Sequence, residues 1–392
     1  MALLSAAAVR ESCEIVFAAA GRGDTQHFRL EMDRLGDAAD RIAAITRRRY
    51  PDLAVPYHSR WRHFGVGGVD RSALVAADAD QPERTRAAID LAVVSVLLDA
   101  GAGPGWHYLE AATGQVWGRS EGLAVASLRA MQRGLFSADP AAPWRADAAV
   151  LARMTPETLG VAFQHAPGNQ LLGLDSRAAL LRRLGEVCAT NAEKFGAPAR
   201  PGHLFDYWRA QRGELPATEI LRTLLFALGP IWPNRLSLGG VALGDCGWHS
   251  AVPGDGIVPF HKLTQWLAYS LVEPLDAGGL RIAGLDGLTG LPEYRNGGLL
   301  IDCGVILPRE EYLLAEPLDA ASEAVVEWRA LTVALLDRLA PLVRKRLGRS
   351  AAEFPLVCML EGGSWAAGRE IASARLADGS APIRIVSDGT LF

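Results

Sequence analysis

The residues best suited to chemistry lie in one stretch of the chain, residues 258–304. It contains VPFHKLTQWLAYSLVEPL and, further on, DGLTGLPEYRNGGLLIDCG, so ionisable groups stand inside apolar sequence. Lys262 lies on the polar face of a predicted helix, and Glu293, Tyr294 and Arg295 lie in the loop that follows. We interpret the charged helix face and the charged loop as two sides of a pocket, in which Arg295 keeps Glu293 ionised. The structural alternative is a surface ion pair between Glu293 and Arg295.

Two residues beside the predicted helix have open roles. His261 could act as an acid near neutral pH, or it could be a hydrogen-bonded structural histidine. Asp255, in PGDGIVP, could supply a second carboxylate, but capping of the helix is the favoured role. Lys262 itself could bind a phosphate, hold Glu293 or protonate a leaving group, whereas most helix lysines are solvated.

A second cluster, HSRWRHF at residues 58–64, combines cations, imidazoles and aromatic rings. Guanidinium forks suit a phosphate or carboxylate, so His58, Arg60 and Arg62 are predicted to bind substrate. The alternative is an arginine–aromatic staple against acidic residues elsewhere. Glu121 in RSEG and His249 are further candidates for the pocket.

No motif indicates a metal or a nucleotide cofactor. The two histidines of the HSRWRHF cluster have neither HExxH nor zinc-finger spacing, and the sequence lacks GxxxxGK[ST], GxSxG and a GxGxxG that follows a strand. We therefore expect a site without metal or cofactor.

Composition limits the classes of protein that the chain can belong to. It has 392 residues, 49% of them hydrophobic, which is enough for a sizeable core. The net charge of −4 does not fit a duplex-binding protein, so we expect a small-molecule substrate and no nucleic acid. The five dispersed cysteines indicate a reducing compartment, and the first residues resemble neither a signal peptide nor a membrane span. These features predict a cytoplasmic protein that does not bind membranes.

Helices must position most of these residues. Helical periodicity is present in residues 28–45, 87–98, 219–228, 259–273 and 325–347, and Pro274 is expected to end the fourth helix. Few strands are predicted: residues 371–376 and 383–386 around Asp378-Gly379 suit a hairpin, as do residues 106–117 around Thr113-Gly114. The expected fold class is mainly α with small β-hairpins.

Long motifs along the chain resemble a known family. The stretch described first, together with PYHSRWRHFGVGGVDR, GRSEGLAVAS, IWPNR and the terminal SDGTLF, is similar to the uncharacterised-domain family of the ring-opening uracil-catabolism (Urc) pathway. The resemblance implies one domain over residues 1–392, with two helical lobes around the pocket as a variant, and a role in handling ribosylurea or its phosphate. It also implies association with other uracil-catabolism enzymes.

A shorter resemblance supplies a chemistry. PFHKLTQWL followed by LTGLPEYRNGGLL is similar to the lysine-helix and Asp-Tyr-Arg segments of queuosine salvage glycosylases, with Glu293 in place of the Asp. This similarity implies a DNA-glycosylase-like helical architecture, cleavage of an N-glycosidic bond, and catalytic roles for Glu293 and Lys262. The expected function is an N-ribosyl hydrolase that releases urea from ribosylurea. The alternatives are a non-catalytic binding partner of the ring-opening enzyme and a ureido-acid amidohydrolase.

Overall fold

Helices dominate the computed structural model, which describes residues 3–99, 101–211, 213–232, 236–375 and 379–386. The α-helices are, in chain order, α1 Ala6–Arg22, α2 Leu35–Arg49, α3 Arg60–Phe64, α4 Gln81–Leu97, α5 Arg119–Gln132, α6 Ala148–Leu151, α7 Pro156–Ala162, α8 Leu174–Thr190, α9 Ala192–Phe195, α10 Leu204–Arg209, α11 Ala217–Leu228, α12 Lys262–Ala277, α13 Tyr294–Asp302, α14 Tyr312–Ala315, α15 Glu323–Leu347, α16 Leu356–Met359 and α17 Trp365–Arg375. A π-helical turn, Leu360–Ser364, joins α16 to α17. The prediction of a mainly helical fold is confirmed.

The strands of the described residues are short and form two-stranded sheets. They are β1 Phe28–Leu30, β2 His107–Glu110, β3 Gln115–Gly118, β4 Leu215–Pro216, β5 Ser237–Leu238, β6 Val241–Ala242, β7 Cys246–Trp248, β8 Ile257–Pro259, β9 Ile282–Ala283, β10 Ile306–Pro308, β11 Leu318–Asp319 and β12 Ile385–Val386. Antiparallel pairs join β1 to β10, β2 to β3, β5 to β6 and β7 to β8, whereas β4–β9 and β11–β12 are parallel. The predicted hairpin around Thr113-Gly114 is therefore confirmed as β2–β3.

The chain divides into two compact units. Unit 1 comprises the described residues of Met1–His58, Arg235–Gln265 and Gly284–Ser387, and unit 2 those of Ser59–Asn234 and Trp266–Ala283. Helix α12 begins in unit 1 and belongs to unit 2 from Trp266 onward. Among the described helices, none is both long and apolar enough to cross a lipid bilayer.

Helix α15 forms the centre of unit 1. It packs against α1 and α2, and the predicted apolar face of Leu331, Leu335 and Leu339 is fully buried. Helix α13 packs against α17 and α15. Burial of this leucine face favours folding of unit 1, and the helical periodicity of the sequence predicted it.

Helix α12 continues past the residue that was expected to end it. It runs through Pro274, which has no N–H to donate to the carbonyl of Ser270 four residues earlier. That carbonyl instead accepts a hydrogen bond of 2.8 Å from the indole N–H of Trp61. The side-chain partner explains why the prediction was wrong. At the other end, Pro259 lies in β8, and α12 begins only at Lys262.

Two further predictions of secondary structure are wrong, because contacts with distant residues decide the local conformation. Residues 371–375 belong to α17 rather than to a strand, and β12 pairs with β11 instead of forming the expected hairpin. Leu376, Asp378, part of the IWPNR motif and the terminal SDGTLF lie outside the described residues. Phe28 was expected to begin a helix but lies in β1, where its N–H donates to the buried carboxylate of Glu327 at 2.9 Å.

A buried ion network holds the β2–β3 hairpin in unit 2. The carboxylate of Glu110 accepts from Arg71 at 2.8 and 2.5 Å and from Arg129 at 2.8 Å, and both Glu110 and Arg71 are almost completely buried. Burial raises the pKa of Glu110, but hydrogen bonds from Arg71, Arg129 and Thr113 outweigh it and lower the pKa to about 2. Glu110 is therefore an ionised group that the fold cannot leave unpaired.

We expect Glu110→Gln to lower the free energy of unfolding by roughly 3–5 kcal/mol, because it leaves the buried Arg71 without its counter-ion. Denaturant unfolding followed by circular dichroism measures the change. Glu186→Gln, at an exposed position on α8, is the control and should change it by less than about 0.5 kcal/mol. A loss below about 1 kcal/mol for Glu110→Gln would show that the network contributes no more than a surface pair.

Candidate functional site

Glu293 caps the N-terminus of α13 from a buried position. Its backbone is extended, with φ −112° and ψ 164°, and its side chain is turned back onto the helix. One carboxylate oxygen accepts the N–H of Arg295 at 2.7 Å and the other accepts the N–H of Asn296 at 2.6 Å. The residue is only 8% exposed, so the alternative of a surface ion pair is wrong. The helix terminus fixes where this negative charge lies.

Two basic side chains act on this carboxylate within unit 1. Burial raises the pKa of Glu293 above its usual value; the two backbone N–H groups, and then the charges of Lys262 and His58, oppose this effect. The net shift is upward because desolvation is the largest contribution. Lys262 and His58 therefore lie close enough to Glu293 to influence its pKa, and the glycosylase resemblance implies such closeness for Lys262.

The position of Lys262 is set by a buried ion pair. The backbone N–H of Lys262 donates to Asp245 at 3.0 Å, and Arg329 binds the same carboxylate through two bonds of 2.9 and 2.7 Å. Asp245 therefore caps α12, while Asp255 lies exposed in the turn between β7 and β8. The expectation that Asp255 caps this helix is wrong.

Gln265 connects α12 to the segment that leads into Glu293. Its side-chain oxygen accepts the N–H of Thr289 at 2.9 Å, and its nitrogen donates to the carbonyl of Phe260 at 3.1 Å. All three residues lie in unit 1 and are buried. These bonds hold the Lys262 turn and the Glu293 loop in a fixed arrangement.

His58 is paired with a carboxylate that the sequence did not reveal. Its Nδ1 lies 2.9 Å from Glu361 Oε2, and Glu361 Oε1 accepts from Tyr50 at 3.2 Å and from Arg49 at 3.3 Å. The ring of Trp365 lies 6.3 Å from the His58 ring, centroid to centroid. We call this group of side chains the Glu293 cluster; its members are His58, Glu361, Lys262 and Glu293. All four belong to unit 1.

The π-helical turn places Glu361. Its two glycines pack against α2, where an added Cβ would lie 3.1 Å from Thr46 at Gly362 and 2.5 Å from Ile42 at Gly363. Ser364, which ends the turn, donates at 2.8 Å to the side chain of Asn296 in α13. The LEGGS sequence was the available signal, because paired glycines next to a carboxylate are unusual inside a helix.

Arg295 has a different partner from the expected one. Its guanidinium donates to the carbonyl of Gly379 at 2.6 Å, and only its backbone N–H reaches Glu293. The charge of Arg295 is not among the causes of the shifted pKa of Glu293. Tyr294, by contrast, is 39% exposed beside Glu293. Lys262 and His58 take the electrostatic role expected of Arg295.

His261 is buried and strained. It has φ +50°, its Nε2 donates to the carbonyl of Leu3 at 2.8 Å, and its Nδ1 has no hydrogen-bond partner among the described residues. Burial lowers the pKa of His261. A lowered pKa favours the neutral ring, so His261 is poorly suited to the role of an acid at neutral pH.

The other predicted binding residues have structural partners. His249 is buried in unit 1, where its Nε2 lies 3.4 Å from Glu327. In unit 2, Arg60 is fully buried and pairs with Asp99 at 2.7 Å, and the guanidinium of Arg62 pairs with Glu273. These are the contacts expected of the arginine–aromatic staple.

Glu121 lies near Arg60 within unit 2, since its charge raises the pKa of that guanidinium against a larger lowering by burial. It is half-buried in the first turn of α5. Within the described ranges, no three His, Cys, Asp or Glu side chains are grouped so that they could hold a metal ion. All five cysteines are free thiols.

Comparison with known proteins gives matches along the whole chain. The model of the family described as "Protein of unknown function (DUF1688)" matches residues 2–392. The chain is 40% identical to "Protein urg3" of Schizosaccharomyces pombe, over 100% of this chain and 98% of that protein. It is 37% identical to "Uracil catabolism protein 4" of Lachancea kluyveri, over 99% and 98% of the two chains. Neither relative is named as a glycosylase, and the glycosylase-like architecture stays a prediction.

We expect Gly297→Ala to destabilise the protein by about 1–3 kcal/mol, because a Cβ there would lie 2.6 Å from the buried Trp328 ring and push α13 away from α15. Gly21→Ala, in α1 with nothing within 4 Å, is the matched control and should be neutral or stabilising by up to about 1 kcal/mol. Thermal and denaturant unfolding compare the two variants. Equal effects would contradict close packing at Gly297.

Proposed function

Because the chain belongs to the DUF1688 family, and because a relative matched along its length is named for uracil catabolism, we propose that it acts in uracil catabolism as an N-ribosyl hydrolase. Its substrate is ribosylurea or the 5′-phosphate of ribosylurea, and its products are urea and ribose or ribose phosphate. The observation that carries the proposal is the buried carboxylate of Glu293, which two backbone N–H groups fix within reach of the charges of Lys262 and His58.

The reaction needs a fixed negative charge beside the anomeric carbon. Breaking the C–N bond develops positive oxocarbenium character on the sugar, and a preorganised carboxylate stabilises it without solvent reorganisation. Glu293 has these properties because two backbone N–H groups orient it and burial excludes water from most of its surface. In this proposal Glu293 stabilises the cation and orients the attacking water, while Lys262 keeps Glu293 ionised.

A bound substrate is expected next to the exposed part of the cluster. Tyr294, which follows Glu293 in the chain and is 39% exposed, is the aromatic residue proposed to contact the urea group. Substrate and products are small molecules, and association with other uracil-catabolism enzymes is part of the proposal.

We expect Glu293→Gln to lower the rate of urea release by about 10²–10³-fold, the range found when one electrostatic stabiliser is removed. Purified protein is given ribosylurea and, separately, its 5′-phosphate, and urea is measured over many turnovers. Glu293→Asp is the matched variant, since it keeps the helix cap and the charge but withdraws the carboxylate by one methylene. Full turnover by Glu293→Gln would overturn the role of Glu293. Binding without turnover by the wild type would favour the binding-partner alternative.

Replacing Lys262 should move the acidic limb of the pH profile. Glu293 acts ionised, so kcat/KM falls as the pH decreases through its raised pKa. The charge of Lys262 lowers that pKa, and Lys262→Met therefore raises it further and moves the limb to higher pH. Lys345→Met, at an exposed position in the last turn of α15, should leave the limb in place. A limb that stays fixed or moves to lower pH in Lys262→Met would contradict the assigned coupling.

A further inference from the structure

We propose that His58 is the general acid that protonates the departing urea nitrogen, and that Glu361 is the positioning residue that orients His58. The inference rests on the proposed function and adds to it the proton donor that a poor leaving group requires. A positioned general acid increases the reaction rate by about 10²–10⁴-fold.

The geometry fixes one side of the His58 ring. Glu361 engages Nδ1 at 2.9 Å, which sets the orientation of the ring and assigns Nε2 to the proton transfer. When it is protonated, His58 lowers the pKa of Glu293. His58 thus interacts with two carboxylates of unit 1, by direct contact with Glu361 on the π-helical turn and through its charge with Glu293 at the start of α13.

Glu361 is itself held by the C-terminal end of α2. Tyr50 and the guanidinium of Arg49 bind its Oε1, and Arg49 also donates at 2.6 Å to its backbone carbonyl. Both contacts restrain the Glu361 side chain. A carboxylate so restrained holds an imidazole in one tautomer, the role that a buried aspartate has in hydrolytic triads.

The proposed step balances. The bond between the anomeric carbon and the urea nitrogen breaks, its electron pair stays on nitrogen, and His58 Nε2–H gives that nitrogen a proton. Water then adds to the oxocarbenium carbon, and the neutral His58 accepts the proton that the water loses. Glu293 stays ionised throughout, and His58 returns to its starting state without a metal or redox partner.

The test compares two leaving groups. Ribosylurea needs a proton on its leaving nitrogen, whereas 4-nitrophenyl β-ribofuranoside releases a stable phenolate that does not. We expect His58→Gln to lower the rate of hydrolysis by about 10²–10⁴-fold with ribosylurea but by less than about tenfold with the nitrophenyl compound. Glu361→Gln should also lower the rate mainly with ribosylurea, by about 10²-fold. Glu293→Gln should lose activity with both substrates, since the oxocarbenium ion is common to them.

His203→Gln is the control. His203 also pairs with a carboxylate, Asp206 at 3.0 Å, but lies in unit 2 and outside the Glu293 cluster, so neither rate should change. Circular dichroism and unfolding midpoints check that each variant folds.

A second measurement covers the case in which the nitrophenyl compound is not accepted. Added imidazole should restore ribosylurea hydrolysis by at least about tenfold in His58→Gly and not in Glu293→Gly. Equal losses of His58→Gln on both substrates, or no rescue, would overturn the acid role while leaving the hydrolase function in place. A wild-type protein that cleaves neither substrate would overturn the function and this inference together.

Discussion

The burial of one carboxylate at a helix N-terminus is the constraint on which unit 1 depends. An ionised group removed from water is strongly unfavourable unless donors and opposite charges replace its hydration. Glu293 obtains the donors from the first turn of α13 and the charges from Lys262 and His58. Lys262 and His58 are in turn positioned by hydrogen bonds to other carboxylates. Asp245 accepts the backbone N–H of Lys262, and Glu361 contacts the His58 ring. This single charge therefore links the start of α13 to the Lys262 turn and to His58.

Much of the fold was predictable because it follows local periodicity. The leucine face of α15, the buried α4 and the β2–β3 hairpin are encoded by spacing and turn residues within each segment. The errors occur where a distant residue decides the local structure. Trp61 permits α12 to pass Pro274, and Glu327 binds the N–H of Phe28 in a strand that sequence periodicity assigned to a helix.

The candidate site shows the same division. Glu293 and Lys262 could be found because polar residues were conspicuous in apolar sequence, whereas Glu361 lies far along the chain with no neighbouring charge to draw attention to it. The HSRWRHF cluster was treated as one binding segment, yet its members have different partners: His58 pairs with Glu361, and Arg60 with Asp99. Adjacency in sequence did not determine which side chains act together, because the direction of each side chain depends on the backbone at its own position.

The π-helical turn Leu360–Ser364 has a consequence for how such a site can arise. A π turn is equivalent to one residue inserted into an α-helix, and each residue of an α-helix turns the chain by about 100°. The wider turn absorbs that rotation locally, so the helical segments on either side keep the faces that they bury. A single extra residue is therefore accommodated within this helical run while many residues on either side stay buried. The Gly362–Gly363 pair, packed against α2, is the local adjustment that such an insertion requires.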